Sequence, residues 1–188
     1  MAGCISTISD LVIAVAAVVG ATVAGVGVSA WRRELHGRTE YELARRVLIG
    51  VHRVRDEIGR VRSPFISGWE FADRPGRKPN QSTCDAEDKA YAYQNRWKPL
   101  QEVSVALDVD LVEAEVIWGD ILKEAWIGLR KCTAELWVAI SRYVQETGPL
   151  NERVERIVSP GSPDEYGERL LRAVSVFDDS LKHHLRRP

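Results

Sequence analysis

The fold class is decided by residues 122–143, which read LKEAWIGLRKCTAELWVAISRY. The apolar residues of this stretch recur at alternating intervals of three and four positions, which places them on one face of an α-helix. These residues are Leu122, Ala125, Leu129, Cys132, Leu136, Ala139 and Tyr143. Trp126, Trp137 and Ile140 widen the apolar face, so we expect this helix to pack against two neighbours.

Three other stretches show the same periodicity. Their apolar positions are Ala44, Val47, Val51, Val54, Ile58 and Val61, then Leu100, Val103, Leu107, Leu111, Ala114 and Trp118, then Tyr166, Leu170, Val174, Phe177 and Leu181. No segment alternates with period two for long, so no strand is expected. The sequence therefore predicts an all-α fold, with an antiparallel bundle of about four helices in residues 39–188.

Glycine and capping residues predict where these helices begin and end. Gly37, followed by a capping box from Thr39 to Glu42, predicts a break and a new helix from Glu40 to about Arg62. Gly119 is expected to end the helix that contains the stripe from Leu100 to Trp118. Ser162 is expected to cap the last helix, because a proline and two acids follow it.

An uncharged run precedes the bundle, from Leu11 to Ala30, and its twenty positions match the length needed to cross a bilayer. We therefore predict that residues 1–36 form an N-terminal tail and a single transmembrane anchor. A buried core helix and a cleaved signal peptide are the alternatives, the latter because Val28-Ser29-Ala30 resembles a cleavage site. Signal peptides usually carry basic residues before the apolar run, but the ten residues before Leu11 contain Asp10 and no Lys or Arg.

Arginines cluster after the uncharged run. Residues 31–62 contain nine arginines and five acids, and this bias places the following domain in the cytoplasm. Trp31, Arg32, Arg33 and Arg38 are expected to anchor the span at the interface or to contact lipid headgroups. The alternative is that the arginines pair with acids on neighbouring helices, such as Glu113, Glu115 and Glu124.

Small residues recur every four positions within the predicted span, at Ala17, Ala21, Gly25 and Ser29. This spacing lets two transmembrane helices approach closely, so it predicts a homo-oligomer. The alternative is that glycine and alanine are simply common in such helices.

Residues 63–81 are rich in proline and glycine and are predicted to form a long loop. Loops of this length are often functional. Phe65, Trp69 and Phe71 cluster here and would form a docking loop or a membrane-interface patch. They would equally serve to cap the end of the bundle core.

No arrangement of residues points to catalysis or to a cofactor. The chain has no HExxH motif, no phosphate-binding glycine loop and no GxSxG, and its cysteines, Cys4, Cys84 and Cys132, are widely spaced. His183 and His184 are read as surface residues near a helix end and not as metal ligands. Nucleic acid is not expected as a partner, since acids interleave with the arginines and no aromatic platform accompanies them.

Three segments resemble parts of uncharacterised bacterial proteins that have one N-terminal transmembrane span and a helical cytosolic domain. They are residues 31–46, which open with Trp31-Arg32-Arg33-Glu34-Leu35, residues 55–65 and residues 113–119. The resemblance implies the architecture and a bacterial inner membrane, and it implies no activity. We hypothesise a membrane-tethered interaction or scaffold module with an unknown protein partner. A membrane-associated effector or stress-response protein is the alternative, and an enzyme is the third class.

Overall fold

A computed structural model describes residues 2–78, 83–145 and 151–185, except for the side chains of residues 2–17, 29, 30, 33, 35 and 36. The chain divides into two compact units, residues 1–42 and residues 43–188. Helices account for 84% of the structure, and the described residues contain five helices and no strand. The all-α prediction is confirmed.

The five helices are named in chain order. They are α1 at Ala2–Val61, α2 at Ala86–Trp118, α3 at Lys123–Gln145, α4 at Glu152–Val158 and α5 at Glu165–Leu185. Two short 3-10 turns occur at Gly68–Glu70 and Gly119–Leu122.

The predicted break at Gly37 is wrong. Helix α1 is continuous through this residue, and the Thr39–Glu42 segment lies within it and does not cap a new helix. Gly37 does not have the positive φ of a helix-ending glycine. Glycine costs only about 1 kcal/mol relative to alanine inside a helix, which is too little to interrupt a helix by itself.

The predicted transmembrane anchor has no support in the described residues. No helix in that part of the chain is both long enough and apolar enough to cross a membrane. Of the predicted span, residues 18–28 are exposed in this structure, whereas the side chains of residues 11–17, 29 and 30 lie outside the described part.

The core of the second unit is built from the predicted stripes. All six positions of the stripe from Ala44 to Val61 are buried, as are all five from Tyr166 to Leu181. On α2 and α3 most stripe positions are buried, while Val103, Trp118 and Tyr143 are partly buried against the same core. Helix α3 packs against three helices, α2, α4 and α5, where its apolar face predicted two.

Gly50 of α1 is in close contact with Leu107 of α2. A Cβ added at Gly50 would lie 2.9 Å from Cδ1 of Leu107, so the absence of a side chain allows Leu107 to pack directly on the α1 backbone. Gly119 has a φ of 67° and ends α2, as predicted.

The start of α5 differs from its prediction. Asp164, not Ser162, satisfies the first turn: its Oδ1 accepts a hydrogen bond of 3.0 Å from the backbone N–H of Gly167. The prediction located the capping region but chose the wrong residue, because the chain enters the helix two positions later.

Candidate docking site

Arg96 on α2 holds the start of the loop that follows α1. Its guanidinium donates to the backbone oxygen of Ser63 (2.7 Å) and to that of Phe65. It also donates to both carboxylate oxygens of Glu70, one of them at 2.8 Å. One side chain therefore fixes three points of the loop against the bundle.

Glu70 completes this arrangement from the loop side. Its Oε1 accepts from the backbone N–H of Ser67 at 2.8 Å, which closes the short 3-10 turn. The hydrogen bond from Arg96 lowers the pKa of the Glu70 carboxyl below its ordinary value, against the opposing effect of burial. Glu70 is therefore ionised at neutral pH and the loop contact is a charge-assisted one.

The three loop aromatics have different environments. Phe65 and Trp69 are 82% and 78% exposed, whereas Phe71 is 6% exposed. The guanidinium of Arg77 lies over the Phe71 ring, 4.6 Å from its centroid. Phe71 is thus buried under Arg77, outside the main core cluster, while Phe65 and Trp69 are exposed.

The second half of the loop is held by a separate ionic cluster. Arg74 donates to Asp88 at 2.7 Å and to Asp85 at 3.2 Å, and it also pairs with Glu87. Burial raises the pKa of Asp88, but the hydrogen bonds from Arg74 and from the backbone of Asp85 outweigh it, so this pKa is lowered. Asp88 and Asp85 also form the capping box that starts α2. Ion pairs of Arg74 and Arg77 thus hold this half of the predicted loop, and residues 79–81 lie outside the described part.

A groove of about 400 Å³ lies beside the exposed Trp69. Its walls come from the last turns of α1, from the loop and from the first half of α2. The lining residues are Glu57, Arg60, Trp69, Glu70, Asp73, Tyr91, Asn95, Arg96 and Pro99.

The polar groups of this groove are mostly committed to one another. Arg60 pairs with Glu57 at 2.7 Å, and Arg96 pairs with Glu70. Nucleophile–base pairs are not formed by these residues, and no group of three or more His, Cys, Asp or Glu among the described residues could hold a metal ion. An exposed indole stands beside a groove whose charged groups are already paired with one another. This arrangement is suited to docking a partner protein.

The remaining predicted site residues belong to the first unit, on the N-terminal part of α1. Ala21, Gly25, Trp31, Arg32 and Arg38 are exposed. The side chains of Ala17, Ser29 and Arg33 lie outside the described part of the chain. The proposed packing row and the interface anchors are thus not tested by the structure.

Among the arginines with described side chains, Arg46 and Arg62 pair with acids on or next to other helices. Arg46 donates to Asp110 at 3.0 Å and also pairs with Glu113, and Arg62 pairs with Asp164 at 2.8 Å. The ion-pair alternative is therefore correct for Glu113. Glu115 and Glu124 form no ion pair with these arginines in the described residues.

Sequence reasoning missed Arg96, Glu70 and Arg74, the residues that order the loop. The two arginines stand in no motif, and their partners lie 11 to 33 residues away. Glu70 does belong to a local motif, the capping box Ser67-x-x-Glu70, but that motif does not reveal its pairing with Arg96. An available signal was the sequence Asp85-Ala86-Glu87-Asp88, whose acidic capping box indicates both a helix start and a site for a cation.

No family model, no curated protein and no solved structure matches this chain.

Proposed function

We propose that this chain is a membrane-tethered helical interaction module that docks a partner protein on the aromatic loop at Phe65 and Trp69. The observation that carries the proposal is the outward position of these two rings on a loop that Arg96 holds rigidly. Large exposed aromatics cost solubility unless they contact something, and tryptophan is the residue type most enriched at binding hot spots.

The way in which Arg96 holds the loop favours a docking role for Phe65 and Trp69 over a purely structural one. The loop contacts that Arg96 makes do not bury Phe65 or Trp69, so the bundle does not use these rings for its own stability. A rigid loop also loses little conformational entropy on binding, which leaves more of the contact energy for affinity.

The membrane tether is the part of the proposal that rests on sequence. Twenty uncharged positions from Leu11 to Ala30 are followed by a cluster of arginines. This order favours a single-pass membrane protein with residues 31–188 in the cytoplasm, and the resemblance to bacterial single-span proteins favours the inner membrane. A tether would restrict the module to partners at or near the membrane surface.

Site-specific photo-crosslinking tests the docking role. A photoreactive amino acid at Trp69 should yield one major protein adduct in cells, and the purified partner should then bind the full chain. Phe65→Ser with Trp69→Ser should weaken that binding at least tenfold, whereas the matched change of two exposed residues on α5, Leu171→Ser with Val176→Ser, should not.

The same experiment separates this role from the alternative of a membrane-perturbing effector. Crosslinks from Trp69 to lipid alone, together with growth arrest on overexpression that requires Phe65 and Trp69, would favour the effector. Equal adduct yields from Trp69 and Leu171 would contradict a docking role for the loop.

A further inference from the structure

Helix α2 carries a second apolar row that the bundle core does not use. Val105, Val109, Val112 and Val116 are 57–81% exposed. Each of these valines is two positions from Leu107 or Ala114, which are buried. Two positions on an α-helix correspond to a rotation of about 200°, so the row faces away from the core.

The row has the geometry of a helix-binding seam. Its intervals are four, three and four positions, the spacing with which one helix packs along another. From Val105 to Val116 it rises about 16 Å, or roughly three turns. The β-branched side chains are also unusual on an exposed helix surface, where they lower helix propensity and gain nothing from burial.

The charges around the row specify what kind of partner fits it. Between Pro99 and Gly119 the helix has five acidic residues and no basic residue. Asp110 and Glu113 pair with Arg46, but Glu102, Asp108 and Glu115 form no ion pair within the described part of the chain.

Some bases lie beside these acids. Lys123 and Arg130 line a cavity together with Asp108 and Glu115, and Lys98 lies next to Glu102. Lys123, the first base after Gly119, pairs with Asp120 at 3.0 Å. Acids still outnumber bases along the valine row, with Glu102 on one side of it and Glu115 on the other.

We infer that this valine face of α2 is a docking surface for an amphipathic helix whose apolar seam is flanked by lysine or arginine. Such a helix would bury the four valines and place its bases against Glu102, Asp108 and Glu115. A second copy of the same face fits poorly, because the acidic flanks of both copies would then meet and repel each other. The inference rests on the proposed role as an interaction module, but the valine face shares no residue with the aromatic loop or its groove.

Fluorescence anisotropy with three synthetic helical peptides tests the inference on the full chain. The first peptide has leucines at heptad positions a and d with lysine flanks, the second has the same seam with glutamate flanks, and the third has a serine seam with lysine flanks. Only the first should bind, and its affinity should fall as salt concentration rises.

Variants of the full chain show whether the valine face is the site. Val109→Ser with Val112→Ser should weaken binding of the first peptide at least tenfold. Glu102→Gln with Glu115→Gln, which leaves the apolar row intact, should also weaken it. The matched controls, Leu171→Ser with Val176→Ser and Glu124→Gln with Asp179→Asn, should bind as the unmodified chain does.

Three results would overturn the inference. Equal binding of the serine-seam peptide would mean that only charge is recognised, and unchanged binding by both the valine and the glutamate variants would place the site elsewhere. A dimer in sedimentation velocity that Val109→Ser with Val112→Ser abolishes would make a second copy the occupant. Because peptide binding and loop crosslinking are separate measurements, each claim can fail without the other.

Discussion

Arg62, the residue after α1, and Asp164, which caps α5, form a two-point ion pair. Nη1 of Arg62 donates to Oδ2 of Asp164 at 2.9 Å, and Nη2 donates to Oδ1 at 2.8 Å. The same guanidinium donates to the backbone oxygens of Ile157 (2.7 Å) and Arg156 (3.2 Å), at the end of α4. One buried side chain therefore joins three helix ends.

Removing this side chain should strongly destabilise the second unit. Arg62→Ala leaves the Asp164 carboxylate and two backbone oxygens without their donor, and breaking a buried pair in this way costs about 3–5 kcal/mol. Arg62→Lys should recover only part of the loss, because lysine cannot form the two-point contact. Chemical denaturation followed by circular dichroism measures both. The matched control is Arg60→Ala, an exposed arginine in an i,i+3 pair, which should change the free energy of unfolding by less than about 1 kcal/mol.

Stability should decline in acid through Asp164 and Glu70. The pKa of Asp164 is lowered chiefly by its hydrogen bonds from Arg62, and that of Glu70 chiefly by Arg96. A carboxyl whose pKa is lower in the folded state stabilises the fold above its unfolded pKa, and loses that contribution as pH falls through the folded value. The unfolded values are 3.8 for Asp and 4.5 for Glu, so the loss should begin near these values and continue below them.

Amide variants assign the acid transition to these residues. Asp164→Asn and Glu70→Gln should each flatten the fall in unfolding free energy below pH 4.5, because neither amide titrates. Asparagine also keeps the helix cap, which isolates the effect of charge. An acid transition unchanged in both variants would show that other carboxyls produce it.

Replacing either of two glycines of α1 by alanine should change the stability of the protein, but in opposite directions. Gly50→Ala would place its Cβ 2.9 Å from Leu107 Cδ1, and such overpacking costs about 1–3 kcal/mol. Gly59→Ala meets nothing within 4 Å, so it should stabilise the helix by up to about 1 kcal/mol. Thermal unfolding of the two variants side by side checks the prediction, and equal shifts of the same sign would contradict the close approach of α1 and α2.

The cap of α5, which is Asp164 and not Ser162, gives another testable prediction. Ser162→Ala should leave stability within about 0.5 kcal/mol, as expected for a surface change away from any cap. Asp164→Ala should cost at least about 1 kcal/mol, since it removes the cap and also the partner of Arg62. A larger loss of stability from Ser162→Ala than from Asp164→Ala would show that Ser162 is the cap after all.

The hydrophobic periodicity correctly predicted those parts of the fold that depend only on residues close together in the sequence. The stripe from Tyr166 to Leu181 is buried at every position because an amphipathic helix has one way to cover its apolar face. Gly119 ends α2 as expected, since its positive φ is a local property of the chain. The break at Gly37 was predicted from the same kind of signal, but glycine alone is a weak interruption.

Long-range ion pairs could not be predicted in this way. Arg96 pairs with Glu70 across 26 positions, and Arg62 pairs with Asp164 across 102. Nothing in the spacing of these residues marks them as partners. For this reason the sequence identified Phe65, Trp69 and Phe71 as a group but not the separation of Phe71 from the two exposed rings, which depends on where Arg96 and Arg77 hold the loop.

Thiol labelling of the loop in native membranes tests the central claim most directly. Gly68 lies between Phe65 and Trp69, is exposed, and has nothing within 4 Å of an added Cβ. In a full chain with Cys4→Ser and Cys84→Ser, Gly68→Cys offers a reactive thiol beside both rings. Gly161→Cys is the matched control, since Gly161 is equally open. If a partner docks on the loop, Gly68→Cys should react at least tenfold more slowly in native membranes than in the purified chain, while Gly161→Cys reacts at similar rates in both. Equal labelling rates for Gly68→Cys in native membranes and in the purified chain would contradict the docking of a partner on the loop.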